Sequence, residues 1–565
     1  MCVCYVKRLY SINFSFFSTD IMFTILLGFI SFLFLLHYYI KYRRIGRILQ
    51  DVPGPKAYPI IGNILRFQSS NLEKTFGKLL EVDKEYYPIY KVWSFFFTSV
   101  TLLHPKDIEK LVKSSKNIEK STAYNYIKPW LSNGLVTSSG DTWQRRRKIL
   151  TPSFHFNILK HFLITFNEEA KYLVTSLKEE TKDGPIIKDT LQLANKHTLN
   201  AICETAMGIP LKGKEELQIK YREAVHNFSK IVSYRILRPW YHSDFIFSFS
   251  SLGRKQKKLL KTLHDFSSNI ITERKRFHQQ TNGKYLQNLE EMDENDVFAK
   301  ESNNTYKNSM SKKKLAMLDL LIAASKDNQI NDEGIQEEVD TFMFAGHDTT
   351  ATSLNFCLLL FAKHKSVQEG IRNEVNNIMQ QNDCNLTISM LGQFSYMERC
   401  IKESLRLYPS VPSISRYLLE DLQLENHLIP AGVDCRLSIY SIHKDPNYWP
   451  NPTIFDPDRF LPENIKNRNP YSYIPFSAGL RNCIGKCCIQ QTINSKLLFH
   501  LFSFSPFFFI LIGQKYALLE IKVMLAYILH HFRLEPVDEL DDAKFMGDMI
   551  LTSTKPLHVK FIPIK

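Results

Sequence analysis

The segment Phe476-Ser-Ala-Gly-Leu-Arg-Asn-Cys-Ile-Gly485 sets one cysteine between two glycines and two residues after an arginine. A cysteine thiolate binds iron when its sulfur is kept ionised, shielded and supplied with backbone donors. Gly479 and Gly485 let the chain turn tightly and come close to a flat ligand. Arg481 offers a fixed cation for a haem propionate, and Phe476 can cover the sulfur side. The loop therefore reads as a haem-thiolate site with Cys483 as the iron ligand, chemistry that favours O–O cleavage. The competing reading, a buried structural cysteine in a turn, loses weight as further motifs accumulate.

The strongest of these is Ala345-Gly-His-Asp-Thr-Thr350, inside a nearly apolar stretch from Phe342 to Phe361. A helix apolar all round is buried and should cross the core, where a carboxylate and two hydroxyls are costly unless used. Gly346 would let the helix loosen to admit dioxygen and water, while Thr349 and Asp348 would relay protons. The alternative is an internal helix end capped by threonines. His347 reads as structural. Trp143 and Arg147, four apart, share one helical face, and Glu403 and Arg406, three apart, can pair.

Together with Tyr471-Ser-Tyr-Ile-Pro-Phe476 and Leu150-Thr-Pro-Ser-Phe-His-Phe156, these motifs resemble the cytochrome P-450 superfamily, family 4 branch, from about Val52 to the C-terminus. The resemblance implies a mainly α fold, a large helical domain with a small β-sheet region, behind an N-terminal membrane anchor helix. It makes Cys483 the axial ligand and aligns Thr349 with the threonine of distal oxygen activation. Trp143, Arg147 and Arg416 become propionate contacts. Arg459, in Pro457-Asp-Arg-Phe460, joins Glu403 and Arg406 in a structural triad. Arg145 and Arg146 would belong to a basic face on which an acidic flavoprotein reductase docks. Many family 4 members carry a glutamate just before Gly-His-Asp-Thr-Thr that esterifies a haem methyl. This chain has Ala345 there, so the haem is expected to be non-covalent. The implied activity is monooxygenation of a lipophilic C–H bond, with fatty acids or related long-chain lipids as substrates. Electrons would come from NADPH through the reductase, with cytochrome b5 as a further donor. Oxidation of foreign compounds is the alternative, as is a haem protein impaired by the insertion described below.

The elements that must position these residues are legible in outline. The 565-residue chain has no Gly/Ser-rich linker or internal repeat, and a 44% apolar share with 40 Phe suffices for one large domain. Short strands and a helix are expected over 60–103, helices from Pro105 to about His278, a polar linker over 279–314, strands over 408–438 and a proline-studded meander over 445–468. The net charge of +15 suits anionic lipid or an acidic partner, and no nucleic-acid-binding motif accompanies it. The ten cysteines lack metal-site spacing, which favours a reducing, cytosol-facing compartment. After an uninterpreted extension over 1–20, Ile21 to Ile40 is long enough to span a bilayer, and Lys41, Arg43, Arg44 and Arg47 place its end in the cytosol. That is the expectation for an endoplasmic reticulum anchor. Met22 is an alternative start. Residues 41–59 form a basic, proline-rich hinge, and 60–565 the catalytic domain.

One segment breaks the pattern. Cys483-Ile-Gly485 would join smoothly to Gln514-Lys-Tyr-Ala-Leu-Leu-Glu520, but 486–513 intervenes. A helix beginning just after the ligand would aim its N–H groups and dipole near the sulfur, and an insertion detaches it. Gly485-Lys-Cys487 can be encoded by GGTAAGT, a splice-donor consensus, Ile512-Gly513 can contain an acceptor AG, and the Phe-rich run before it suits a pyrimidine tract. The segment reads as retained intron, the alternative being a membrane-dipping loop. Sequencing the transcript across Gly485 and Gln514 should show 486–513 spliced out, with the shortened chain binding haem better than the full one. Its presence in the predominant message, in a protein that takes up haem and turns over, would end this reading.

Overall fold

A computed structural model describes residues 2–69, 71–95, 97–154, 156–282, 316–380, 385–484 and 515–564, the side chains of 2–20, 156 and 157 excepted. The expected linker and the suspected insertion thus fall almost wholly outside the described residues, as does Gly485.

Helix α1 (Cys2–Tyr42) contains the apolar span. An 18-residue window within Ile21–Tyr42 has a mean hydropathy of 2.2 and no buried residue, so most of its apolar side chains have no protein to pack on, although Ile40 near its end is buried. The helix extends past the expected 21–40 at both ends. Its C-terminal part touches the body of the protein: the His37 ring stacks on Trp93 at 6.4 Å and accepts a hydrogen bond from the Ile60 N–H. The hinge is partly helical, because Arg44–Ile48 forms a short helix, α2, with Arg44 paired to Asp421. The chain is non-helical at Arg43 and from Leu49 through Pro59, where the prolines from Pro53 on keep it so.

The sheet comprises β1 (Ile89–Ser94), β2 (Phe97–Leu102), β3 (Glu119–Lys120), β5 (Ile414–Tyr417) and β6 (Asp434–Leu437), in the order β1-β2-β6-β5-β3. Only β2 and β6 run parallel. A smaller sheet joins β4 (Ile186–Asp189) to β7 (Phe532–Pro536) and β8 (His558–Pro563), with β8 in the middle.

The helices form the main body. They include α3 (Gly140–Leu150), α4 (Phe156–Glu180), α5 (Thr190–Thr205), α6 (Ser251–Gln280), α7 (Asp332–Lys363), α8 (Ser395–Leu407) and α9 (Lys515–His531). Asn331 caps α7, accepting from the Gly334 N–H, and Asp189 caps α5 through Leu191 and Gln192. From Ile335 to Ala362, α7 is buried at nearly every position, as its lack of a polar face demands. α5 and α9 both pack on it.

Beneath the cysteine loop, Glu403 and Arg406 of α8 form a bidentate pair, both bonds 2.7 Å, with neither side chain exposed. Arg406 also donates to the carbonyls of His443, Pro452 and Ile454. Glu403 accepts the Asp456 N–H, and Arg459 approaches it at 3.4 Å. Burial pushes the Glu403 carboxyl up, and its arginine partners oppose that shift. The group ties α8 to the proline meander. Removing one partner leaves a buried charge uncompensated. Arg406→Met should therefore destabilise the protein by about 3–5 kcal/mol, read from urea unfolding. A loss below about 1 kcal/mol would show that the network does not hold the meander.

Candidate active site

The cysteine loop is shaped by backbone geometry. The Cys483 N–H donates to the Phe476 carbonyl and the Asn482 N–H to that of Gly479, closing a tight turn. Gly479 has φ +71°, and a Cβ there would overlap the Val112 carbonyl oxygen, so no other residue fits. Phe476 packs on the main apolar cluster, as does Ile484. Cys203, Cys357, Cys400 and Cys435 are buried, and burial raises each of their thiols. Cys483 is exposed. Of these five, it alone has a sulfur that a ligand in the cleft can reach.

Three of the expected residues converge on this loop. Arg147 of α3 donates to the Asn482 carbonyl and side-chain oxygen, both at 2.9 Å, gripping the residue just before Cys483. Arg481 lies over the Trp143 ring at 4.4 Å and donates to the carbonyls of Ile118 and Ser138. Arg416 of β5 is buried as well. Its neighbour on β3, Lys120, lies over Tyr124 at 4.5 Å. Among the described residues, Arg481, Arg416 and Lys120 form no ion pair with a carboxylate. Burial, reinforced by Arg416, lowers Arg481 to about 10, and burial plus both arginines drives Lys120 well below its usual value. Two crowded guanidiniums, with Glu119 favouring the charge of Arg481 and Lys120 pushed toward its neutral form, make a positive, donor-rich pocket. That donor set fits the two carboxylates of haem, with Cys483 beside them. Lys120 and Tyr124 were not apparent from the sequence, because the sheet pairing of Lys120 with Arg416 joins residues far apart in the chain.

The motif in α7 stands apart from this group. Thr349 donates to the Ala345 carbonyl and Thr350 to that of Gly346, each at 2.8 Å. The Thr349 carbonyl accepts from Ser353 and Ser410. Asp348 is half-buried, with no hydrogen bond or ion pair to a described residue, and burial raises its carboxyl to about 7. His347 is buried, bonded through Nδ1 to the Met343 carbonyl and lowered to about 4, which suits a structural role. The helix stays regular through Gly346, where the expected loosening is absent. The glycine serves packing instead: a Cβ would lie 2.7 Å from the Ile202 side chain of α5.

The two arginines before Arg147 divide. Arg145 is exposed, as a docking face requires. Arg146 is not part of that face. It is largely buried and donates to Glu338 at 2.9 Å, Glu337 at 2.6 Å and the Gly334 carbonyl at 3.0 Å. Neighbours on a helix point about 100° apart, so consecutive arginines meet different surroundings.

Known proteins place this arrangement. Residues 52–487 match the cytochrome P-450 family. Cytochrome P-450 4c3 of Drosophila melanogaster is 36% identical over 537 residues, covering 94% of this chain and 92% of that protein. Cytochrome P-450 4c21 of Blattella germanica is 35% identical, covering 96% and 99%. Cytochrome P-450 4V2 of Homo sapiens is 34% identical, covering 92% and 91%. With its cysteine loop, buried cations and central helix in this setting, the chain belongs to the cytochrome P-450 family, on its family 4 branch, and is a haem-dependent monooxygenase.

Proposed function

We propose that this monooxygenase hydroxylates fatty acids or related long-chain lipids, with electrons from NADPH delivered by a flavoprotein reductase and cytochrome b5 as an additional donor. The observation that carries the haem assignment is the exposed Cys483 beside the buried donors Arg481 and Arg416, neither of which forms an ion pair with a described carboxylate. Cys483 would ligate the haem iron. Arg481, Arg416, Arg147 and Trp143 would hold the haem carboxylates, Phe476 would shield the sulfur, and Gly479 and Gly346 would allow the close approaches. Thiolate-ligated haem supplies reductive activation of dioxygen, with one atom inserted into a C–H bond and the other leaving as water.

The protein's own part is to hold, exclude and protonate. Asp348, raised to about 7, exchanges a proton at physiological pH. The Thr349 hydroxyl, one residue on, donates to Ala345 and keeps lone pairs to accept a proton and pass it on. Apolar residues of α7 such as Phe342 and Phe344 limit water at the site. Ala345 carries no carboxylate, so the haem is held without an ester. The exposed Ile21–Tyr42 span supports a single anchor in the endoplasmic reticulum membrane, with the catalytic body in the cytosol and Arg145 on the reductase side. The domain division at about residues 20, 40 and 59 follows from this. Retention of an intron over 486–513 draws support from the family match, which ends at residue 487.

Two measurements test this reading. The reduced carbonyl complex should show the red-shifted Soret band of thiolate ligation, and Cys483→His should abolish it; an unchanged band would refute the ligand. Acid solvent should extract all haem from the same preparation, and haem retained on a denaturing gel would contradict non-covalent binding.

Proton delivery gives a second prediction. Asp348 is raised, so it holds its proton below about 7 and loses it above. Product formed per NADPH consumed should fall between about pH 6 and 8, and Asp348→Asn should flatten that slope. Thr349→Ala should lower the ratio by about tenfold or more. An identical slope in the Asp348 variant would remove it from the relay.

A further inference from the structure

The buried group around Arg146 lies outside the haem contacts, yet its bonds lead back to them. Glu337 and Glu338 each divide their two oxygens the same way. One oxygen of each accepts from Arg146 of α3. The other accepts a backbone N–H from the loop between Leu131 and Ser139: Asn133 bonds Glu337 at 3.0 Å and Leu135 bonds Glu338 at 3.1 Å. The loop lies so close to α7 that a Cβ at Gly134 would overlap the Thr341 hydroxyl and the Glu337 carbonyl. On its other side the same loop presents the carbonyls of Leu135 and Ser138 to Arg481, at 3.5 and 2.5 Å. Leu135 is thus held by Glu338 through its N–H and reaches Arg481 through its C=O. Arg147, next to Arg146, holds Asn482.

We propose that Arg146, Glu337 and Glu338 are positioning residues that clamp the 132–138 loop between α7 and the cysteine loop, and so fix Arg481 where it meets the haem carboxylates. The inference rests on the reading of Arg481 as a haem-side cation. Its physical basis is that a guanidinium whose hydrogen-bond acceptors are neutral carbonyls, close to another cation, keeps its place only if those carbonyls are immobile. A glutamate that accepts both a guanidinium and a peptide N–H immobilises them from behind. Glu337 and Glu338 are 8% and 0% exposed and Arg146 13%, so water does not screen the clamp.

The test uses the haem-loaded protein and reads its reduction potential and haem dissociation rate. Arg481→Gln removes a positive charge beside the haem, disfavouring the reduced state, and should shift the midpoint downward. If it does not, the reading of Arg481 fails and the clamp with it. Given that shift, Glu338→Gln and Glu337→Gln should each speed haem loss about tenfold, the loss of one charge-assisted hydrogen bond, and should lower the potential although removal of a buried negative charge would by itself raise it. In the Arg481→Gln background the same changes should no longer lower the potential, because residues acting through one group are non-additive. A potential unmoved by the glutamine variants, or effects that simply add to that of Arg481→Gln, would overturn the proposal. Should a glutamine variant fail to take up haem, Arg146→Lys keeps the charge while losing the fork. It should give a smaller downward shift, and a wild-type potential in that variant would count against the clamp.

Discussion

A pocket built for a dianion must keep several cations together in a place where water cannot separate them. Arg481, Arg416 and Lys120 stand in that relation: burial disfavours the charge of each, and neighbouring guanidiniums add to it at Arg481 and Lys120. Coulomb repulsion between buried like charges is several kcal/mol at an effective dielectric of about 20. The surrounding structure has to offset it before any ligand arrives. It does so with fixed dipoles and a ring face: carbonyls of Ile118, Leu135 and Ser138, and the indole of Trp143. They come from three segments, the stretch before β3, the 132–138 loop and α3, whose placement is thus constrained at one point.

Helix α7 is the member against which those segments are aligned. Its buried length carries Asp348 and Thr349 in the middle and the glutamates that hold α3 and the 132–138 loop nearer its N-terminus. Close packing makes that alignment stiff. Gly346 against Ile202 brings α5 into contact, and Gly134 lets the loop lie on the helix. A displacement of α7 would reach both the proton side and the cation side of the site. Beneath the cysteine loop, the Glu403–Arg406 pair does comparable work for the meander, without contact to the cations above.

Much of the fold and half of the site were legible in the chain. The span from Ile21, the buried helix through Phe342 to Phe361 and the strands after Tyr408 follow from local rules, because apolar periodicity and prolines act over a few residues. The cysteine loop was legible because its turn needs glycine at Gly479, and a residue type forced by backbone geometry leaves a mark in the sequence. Pairs three or four apart on a helix, such as Glu403 with Arg406, were legible for the same reason.

What the sequence alone determined, then, is the set of chemical groups and their local spacing: a cysteine in a glycine-bracketed loop, a polar motif in an apolar helix, a long apolar span near the N-terminus. Only the tertiary structure decided which groups share an environment. Arg145, Arg146 and Arg147 are chemically identical and adjacent, yet one faces solvent, one is enclosed by two glutamates and one grips the cysteine loop. Lys120 joins Arg416 only because β3 pairs with β5. Gly346, read as a point of helix opening, lies against Ile202 from a helix far away in sequence, where a Cβ would not fit. Burial and long-range pairing are properties of the packed chain, and electrostatic energy depends on distance and dielectric, neither of which residue order specifies.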